Sequence, residues 1–466
     1  MEPGKSKAFD LIVVGAGPGG YAAAIRGAQR GLKVALISRE DPGGTCLHRG
    51  CIPSKALIAA AEVVHAARQA KNIGITYAPP QIDYAALIAS KDRKVGQLSK
   101  GLSELFKAHK IEFVSGEATL KSAQEVEVRQ IPSGMLALYQ AKDIILATGT
   151  EPIRPKGFPF DGQLILTTDE LFKITRLPAS MVIVGGGVIG CELACAYNIL
   201  GSEVALVEQL PTLLAGEERL VSQTLQKSLT RRGIDVLTGV AVTEMKKLAG
   251  KVAVTLATGS VLEVDLVLVA VGRGVGQDLL GLDTLGVKKN GRYVAVGSHL
   301  ETSLPRLYAI GDLTGQTLLA HGAAEEGICA VENITGHAAV MDYPSIPRVT
   351  YTLPEIASIG MREEELKKLP HKTGRFGYAA NAMALLHEEA EGFALIHTSE
   401  EGLVLGATVV GPQAAALIQE VALVMKNHLP ITALMETIHA HPTFSEVLHE
   451  AALDTAGLAI HKFSKR

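Results

Sequence analysis

The stretch GGTCLHRGCIPSK at positions 43–55 sets Cys46 and Cys51 close together, after a glycine pair and ahead of a Pro-Ser-Lys tail. Close cysteines can serve as a structural staple, as half of a metal site, or as a dithiol that opens and closes during turnover. The chain has five cysteines, an odd number and too few for a secreted scaffold held by disulfides. A metal site needs further ligands at matching spacing. The sequence offers no nearby H-x3-5-H to complete one, so no metal is expected. Pro53 suits the first turn of a helix, which puts Cys51 near a helix N-terminus. The positive end of that helix and the nearby Lys55 favour thiolate over thiol, the state a redox sulfur needs. Cys191, Cys195 and Cys329 are read as structural.

The elements around this loop have the pattern of nucleotide binding. FDLIVVGAGPGGYAAAIRGAQRGLKVALIS places an apolar strand, then Gly15-x-Gly17-x-x-Gly20, an Ala-rich helix and a second strand. MVIVGGGVIGCELACAYNILGSEVALVE repeats it with Gly185-x-Gly187-x-x-Gly190, without a gap, at an offset of 170 residues (15 to 185). In each copy glycines let the backbone approach a pyrophosphate, and the helix N-terminus supplies oriented N–H groups and partial positive charge. An acid about twenty positions on accepts the ribose hydroxyls. Glu208 fills that slot in the second copy and disfavours a 2′-phosphate, which reads as NAD over NADP. In the first copy the slot holds Ser38, which can still hydrogen-bond a ribose hydroxyl, with Glu40 close by. Three further strand-to-turn segments, KDIILATGTEP (142–152), DLVLVAVGRG (265–274) and LYAIGDLTG (307–315), again set backbone against a ligand. Asp312, at the end of the last, is placed to hold the ribityl or pyrophosphate part of a cofactor.

Composition fits a soluble α/β enzyme of 466 residues and roughly three domains: 47% hydrophobic, 20% charged and 48 glycines. Aromatic residues are 4% with no Trp, and the formal charge is −3, which argues against a nucleic-acid surface. No apolar run approaches the ~18 residues of a membrane helix. Only MEPGKSKA precedes the first strand, without a signal h-region or Arg-rich presequence, so a cytoplasmic location is expected.

In the order GAGPGG, GGTCLHRGCIPSK, ATG, GGGVIG and YAIGD, these motifs cover nearly the whole chain. The chain thereby resembles the flavin-dependent pyridine nucleotide–disulfide oxidoreductases. The resemblance implies an α/β fold of two Rossmann-like domains, an NAD domain inserted in an FAD domain, plus a C-terminal α+β dimerisation domain. It implies FAD at Gly15, Gly17 and Gly20, with Thr45, Lys55, Ala118, Gly149, Asp312 and Ala320 around the flavin nucleotide and Ser38 in the ribose slot where the family has an acid. It puts NAD at Gly185, Gly187, Gly190, Glu208 and Gly272, with Glu192 pairing with Lys55. It makes Cys46 and Cys51 the redox-active disulfide. Residues 438–450, IHAHPTFSEVLHE, then supply an imidazole base, His441, oriented by Glu446 and reaching the disulfide of the other subunit of a homodimer. His439 is read as structural.

The His-Ala-His-Pro-Thr-x-Ser-Glu form resembles most closely the members that oxidise dihydrolipoyl groups with NAD+. Their partners are the lipoyl domains of 2-oxo acid dehydrogenase complexes or the glycine-cleavage H protein. Two alternatives stay open, a related reductase for another thiol and a non-catalytic redox-sensing flavoprotein. Four places depart from the family pattern: Ser38, His48 where Asn is common, GRGVGQ at 272–277, and NAMALLHEEAEG at 381–392. The expected borders are 1–150 and 279–345 for the FAD domain, 151–278 for the NAD domain and 346–466 for dimerisation.

Overall fold

The computed structural model describes residues 7–276 and 280–463. Gln277 of the GRGVGQ loop, the expected border at 278–279 and the opening residues 1–6 lie outside the described residues. Contacts group the chain into two compact units: Met1–Pro53, Ile88–Ile153 and Gly272–Tyr343 in one, Ser54–Leu87, Arg154–Val271 and Pro344–Arg466 in the other.

In the first unit five parallel strands run in the order Glu112–Ser122, Val34–Ser38, Lys7–Val14, Leu136–Leu146 and Leu307–Ala309. Glu125–Gln130 pairs antiparallel with the two long strands at 112–122 and 136–146. Every residue of VALIS at 34–38 is buried, as a parallel strand covered on both faces requires. The helices Pro18–Gln29 and Ala320–Ile334 meet at backbone distance: a Cβ at Gly327 would lie 2.4 Å from the Gly19 carbonyl oxygen. On the second of these helices Glu326 is fully buried. It accepts from the Gly311 N–H at 2.5 Å and from the Tyr343 hydroxyl at 3.0 Å, and so fixes the turn that carries Asp312. Burial pushes its pKa up, and these two hydrogen bonds only partly oppose the shift, leaving it at about 7.

The second unit holds another parallel sheet, in the order Asp235–Thr238, Glu203–Glu208, Ser180–Val184, Leu266–Val269 and Ile165–Leu166. A meander of Val242–Lys247, Val252–Leu256 and Val261–Val264 accompanies it. The helix Val188–Leu200 is apolar nearly all round and almost wholly buried. The same unit contains an antiparallel sheet of Arg348–Thr350, Ile356–Gly360, Val404–Val410, Phe393–Thr398 and Lys372–Gly377. Helices Ala414–Lys426 and Glu446–Asp454 close its core around Ile396, Val409, Ile418 and Leu448. Gly374 lets the second helix settle on the sheet, since a Cβ there would be 2.0 Å from the Ala451 oxygen. Among the described residues no helix is long and apolar enough to cross a membrane.

The sequence repeat is also a repeat of geometry. Gly15 and Gly185 have φ of +106° and +114°, and each N–H donates to the end of the next strand at 2.8 Å, to Ile37 and to Val207. A Cβ on Gly20 would lie 1.7 Å from the Gly15 oxygen, and one on Gly190 would lie 1.8 Å from the Gly185 oxygen. On Gly17 and Gly187, each at the N-cap of its helix, an added Cβ would meet nothing within 4 Å. The third glycine of each motif is therefore fixed by the fold, whereas the second faces open space.

Two outcomes follow from this packing. Gly190→Ala should lose more than ~3 kcal/mol of stability, whereas Gly187→Ala stays within about 1 kcal/mol of wild type and weakens nucleotide binding. Denaturant titration and a binding isotherm measure the pair; equal stabilities for the two variants would contradict the packing. For Glu326, the folded chain keeps its proton up to about pH 7, while the ordinary carboxyl value is 4.5. Between these limits the folded state binds more protons, so the contribution of Glu326 to stability falls as pH rises through the window. Glu326→Gln removes that slope, and its stability relative to wild type should rise across the same window in thermal melts. Parallel curves would count against the assignment.

Candidate active site

The dithiol loop is built by a short helix and a tight turn. Gly44–Arg49 forms the helix that carries Thr45 and Cys46, and Cys51 is the first residue of the helix Cys51–Gln69, with Pro53 in its first turn. Both cysteines are half-buried. Gly50 joins the two helices, and a Cβ there would lie 3.1 Å from the Thr45 oxygen and 3.4 Å from Cα of Cys46. The chain thus folds back over Cys46 where a side chain would push it away. Gly44 sits against the first cradle, its added Cβ only 2.7 Å from Cα of Gly17. Tyr21 belongs to this site as well: burial raises its pKa, and the neighbouring Cys46 and Cys51 raise it further.

The other residues expected around the flavin nucleotide come from separate loops of the first unit. Gly149 has φ +69° with open space on its Cβ side. Asp312 accepts from the Thr150 hydroxyl at 2.8 Å, and Arg273 holds Thr150 through its hydroxyl oxygen (3.1 Å) and carbonyl (2.6 Å). Ala118 faces Val128 in the strand pair, and Ala320 opens its helix. Ser38 ends its strand buried, its hydroxyl accepting from the Glu40 N–H at 3.2 Å. Small residues, open cradle glycines and one fixed carboxylate suit a dinucleotide that carries its own negative charge at the pyrophosphate.

In the second unit Glu208 reaches from its strand end to the glycine loop. One carboxylate oxygen accepts from the Gly186 N–H at 2.6 Å and the other from the Leu210 N–H at 2.7 Å. This is the carboxylate expected to take ribose hydroxyls and to disfavour a 2′-phosphate. Gly272 has φ +117° at the start of its loop. Glu192 lies in the apolar helix with only 3% of its surface exposed. Such a carboxylate needs partners. Lys55 donates to both oxygens, at 3.0 and 2.8 Å, and the Tyr351 N–H donates at 2.9 Å. The Lys55 ammonium also stands 4.5 Å from the Tyr351 ring centre, a cation–π contact.

The imidazole and its carboxylate meet near the C-terminal end of the chain. Nδ1–H of His441 donates to Glu446 at 2.8 Å, which leaves Nε2 as the basic nitrogen on a ring 74% exposed. Glu446 is the first residue of its helix, and the Thr443 N–H holds its second oxygen at 2.9 Å. Burial raises the pKa of Glu446, but that N–H and the His441 ring outweigh it and keep the carboxyl below its usual range. His439 is tied between Glu420 and the Thr437 carbonyl and stacks on His449. Cys191, Cys195 and Cys329 are buried, and burial raises the pKa of each. Among the described residues no group of His, Cys, Asp or Glu could hold a metal ion.

Sequence reasoning missed Tyr21, Thr150, Arg273 and Tyr351. Tyr21 and Thr150 adjoin motifs that were read, whereas Tyr351 comes 159 residues after Glu192 with no pattern to announce it.

Known proteins align with this chain along nearly its whole length. Residues 9–327 match the model of the pyridine nucleotide-disulphide oxidoreductases, and residues 346–452 match the dimerisation domain of that family. The dihydrolipoyl dehydrogenase of Chlamydia muridarum is 42% identical over 463 residues, covering 98% of each chain. The dihydrolipoyl dehydrogenase of Thermus scotoductus is 42% identical over 464 residues, 98% of this chain and 99% of its own. The crystal structure of LpdA from Mycobacterium tuberculosis superposes with a TM-score of 0.89 at 26% identity, covering 95% of this chain and 99% of that one. With its paired nucleotide cradles, its cysteine loop and these matches, the chain belongs to the pyridine nucleotide-disulphide oxidoreductase family.

Proposed function

We propose that this protein oxidises protein-bound dihydrolipoyl groups to lipoyl, passing electrons through Cys46 and Cys51 to FAD and then to NAD+. In this reading it acts in the cytoplasm as the homodimeric E3 component of 2-oxo acid dehydrogenase complexes, or with the glycine-cleavage H protein. The observation that carries it is the 2.8 Å contact between His441 and Glu446, which prepares a basic Nε2 in a chain that also carries a turn-linked cysteine pair. Relatives at about 40% identity over the whole chain bear the matching name. A dithiol that must open at each turnover suits a reducing compartment.

His441 Nε2 takes the proton of one dihydrolipoyl thiol, and Glu446 holds the ring and stabilises the imidazolium. The new thiolate attacks the Cys46 sulfur of the oxidised pair. A bond forms between substrate sulfur and Cys46, the Cys46–Cys51 bond breaks, and Cys51 leaves as thiolate. The imidazolium then gives its proton to the Cys46 sulfur as the second substrate thiol, yielding its own proton to the freed imidazole, displaces Cys46; the substrate leaves as cyclic disulfide and the cysteines hold the electron pair. Gly15, Gly17, Gly20, Ser38, Thr45, Lys55, Ala118, Gly149, Asp312 and Ala320 would hold FAD. Gly185, Gly187, Gly190, Glu208 and Gly272 would hold NAD+, with Glu192 steadying Lys55. Bound FAD would supply the acceptor for the electron pair and the hydride chemistry toward NAD+.

Steady-state oxidation of dihydrolipoamide by NAD+, set against NADP+ and against glutathione and trypanothione, tests the function. NAD+ with dihydrolipoamide should be preferred by orders of magnitude, and a preference for either other thiol would reject it. His441→Ala should slow thiol oxidation by roughly a hundredfold or more. Near-normal turnover in that variant would remove the base. Cys51→Ser should abolish the long-wavelength absorbance that a thiolate beside the flavin gives on reduction; a retained band would refute its role.

A further inference from the structure

Between the two cysteines, His48 and Arg49 both reach back to the segment that follows Ser38. Arg49 donates through Nη1 and Nη2 to the two oxygens of Glu40, each at 2.9 Å, with both side chains about three-quarters covered. His48 Nε2–H donates to the Pro42 carbonyl at 3.0 Å, and the Ser99 hydroxyl donates to the same oxygen at 3.0 Å. Glu40 in turn donates its N–H to Ser38. Arg39, the neighbouring cation, is turned to Glu151 at 2.9 Å and stays 3.8 Å from Glu40.

A parallel two-point pair fixes a guanidinium in rotation as well as position, which a single-point lysine contact does not. The pair is neutral overall, so its effect on the sulfurs is mechanical, with little net field. Arg49 ends the helix that carries Cys46, and only Gly50 separates it from Cys51. Whatever anchors Arg49 therefore anchors the fold-back at Gly50. The anchor lies where the first nucleotide cradle has a hydroxyl in place of the ribose-binding acid.

We propose that Arg49, held by Glu40, is a positioning residue for the dithiol: it fixes the turn that sets Cys51 against Cys46 and ties that turn to the ribose end of the first cradle. The inference rests on the proposed redox role of the cysteines but not on the identity of the thiol substrate. Two properties become coupled, the ease with which the two sulfurs close and the retention of FAD. Closure depends on the effective concentration of one sulfur at the other, which a loose turn lowers.

The test uses the FAD-loaded full chain with Arg49→Met, Glu40→Gln and the exchange Arg49→Glu with Glu40→Arg. The disulfide–dithiol equilibrium is read in a dithiothreitol redox buffer by alkylation and mass, and FAD release by fluorescence. Each single variant should favour the open dithiol and release FAD faster by roughly five- to tenfold, and the exchange should return both values toward wild type. Circular dichroism establishes that each variant is folded. Single variants matching wild type in both readouts would overturn the proposal, as would an exchange variant that stays as low as the singles. Failure of wild type to oxidise dihydrolipoamide would instead reject the functional reading and leave this equilibrium measurable.

Discussion

The structure depends on one close backbone approach made twice. Where strand turns into helix, the third glycine of each motif passes so near the first glycine's carbonyl that no side chain fits. This contact presses the helix against its strand and leaves the second glycine facing open space with the helix N-terminus beside it. An anion can be met there by backbone alone, without a lysine or a metal. At the far end the two cradles differ in what the second strand offers: Glu208 in one and Ser38 in the other.

Around these cradles the protein places charge sparingly and gives each buried charge several partners. Glu192 is nearly enclosed, and Lys55 with the Tyr351 N–H saturates it. Glu326 accepts from one N–H and one hydroxyl, and burial, which these bonds only partly oppose, keeps its pKa raised. Glu446 is the opposite case, a carboxylate kept ionised by a backbone N–H and an imidazole. The difference suits their tasks. In the proposed function Glu446 must stay charged for His441 to act as a base, whereas Glu326 needs only to hold a turn.

Much of this was legible in the sequence because the signals were local. Cys46, Gly50 and Cys51 belong to one continuous loop, each glycine motif sits within a few residues of its strand, and His441 and Glu446 are five apart. The parallel sheets could be read because strands such as VALIS at 34–38 and LVLV at 266–269 are apolar nearly throughout. What the sequence hid were contacts made at long range by ordinary residues. Tyr351 supplies a peptide N–H, which any residue type but proline could supply, and a ring that meets Lys55 from far along the chain, so no local spacing announces it. Arg273 holds Thr150 across 123 positions. The grouping of residues 54–87 with 154–271 also follows from packing such as the 2.8 Å contact between the Tyr84 and Tyr197 hydroxyls, which no periodicity encodes.

The central claim is that Cys46 and Cys51 form a second two-electron store beside the flavin. Anaerobic reductive titration of the FAD-loaded protein measures this directly. The account predicts an uptake of about two electron equivalents per chain beyond what the flavin alone accepts, lost when either cysteine is replaced. Uptake that ends with the flavin's own two electrons in the wild-type protein would contradict it.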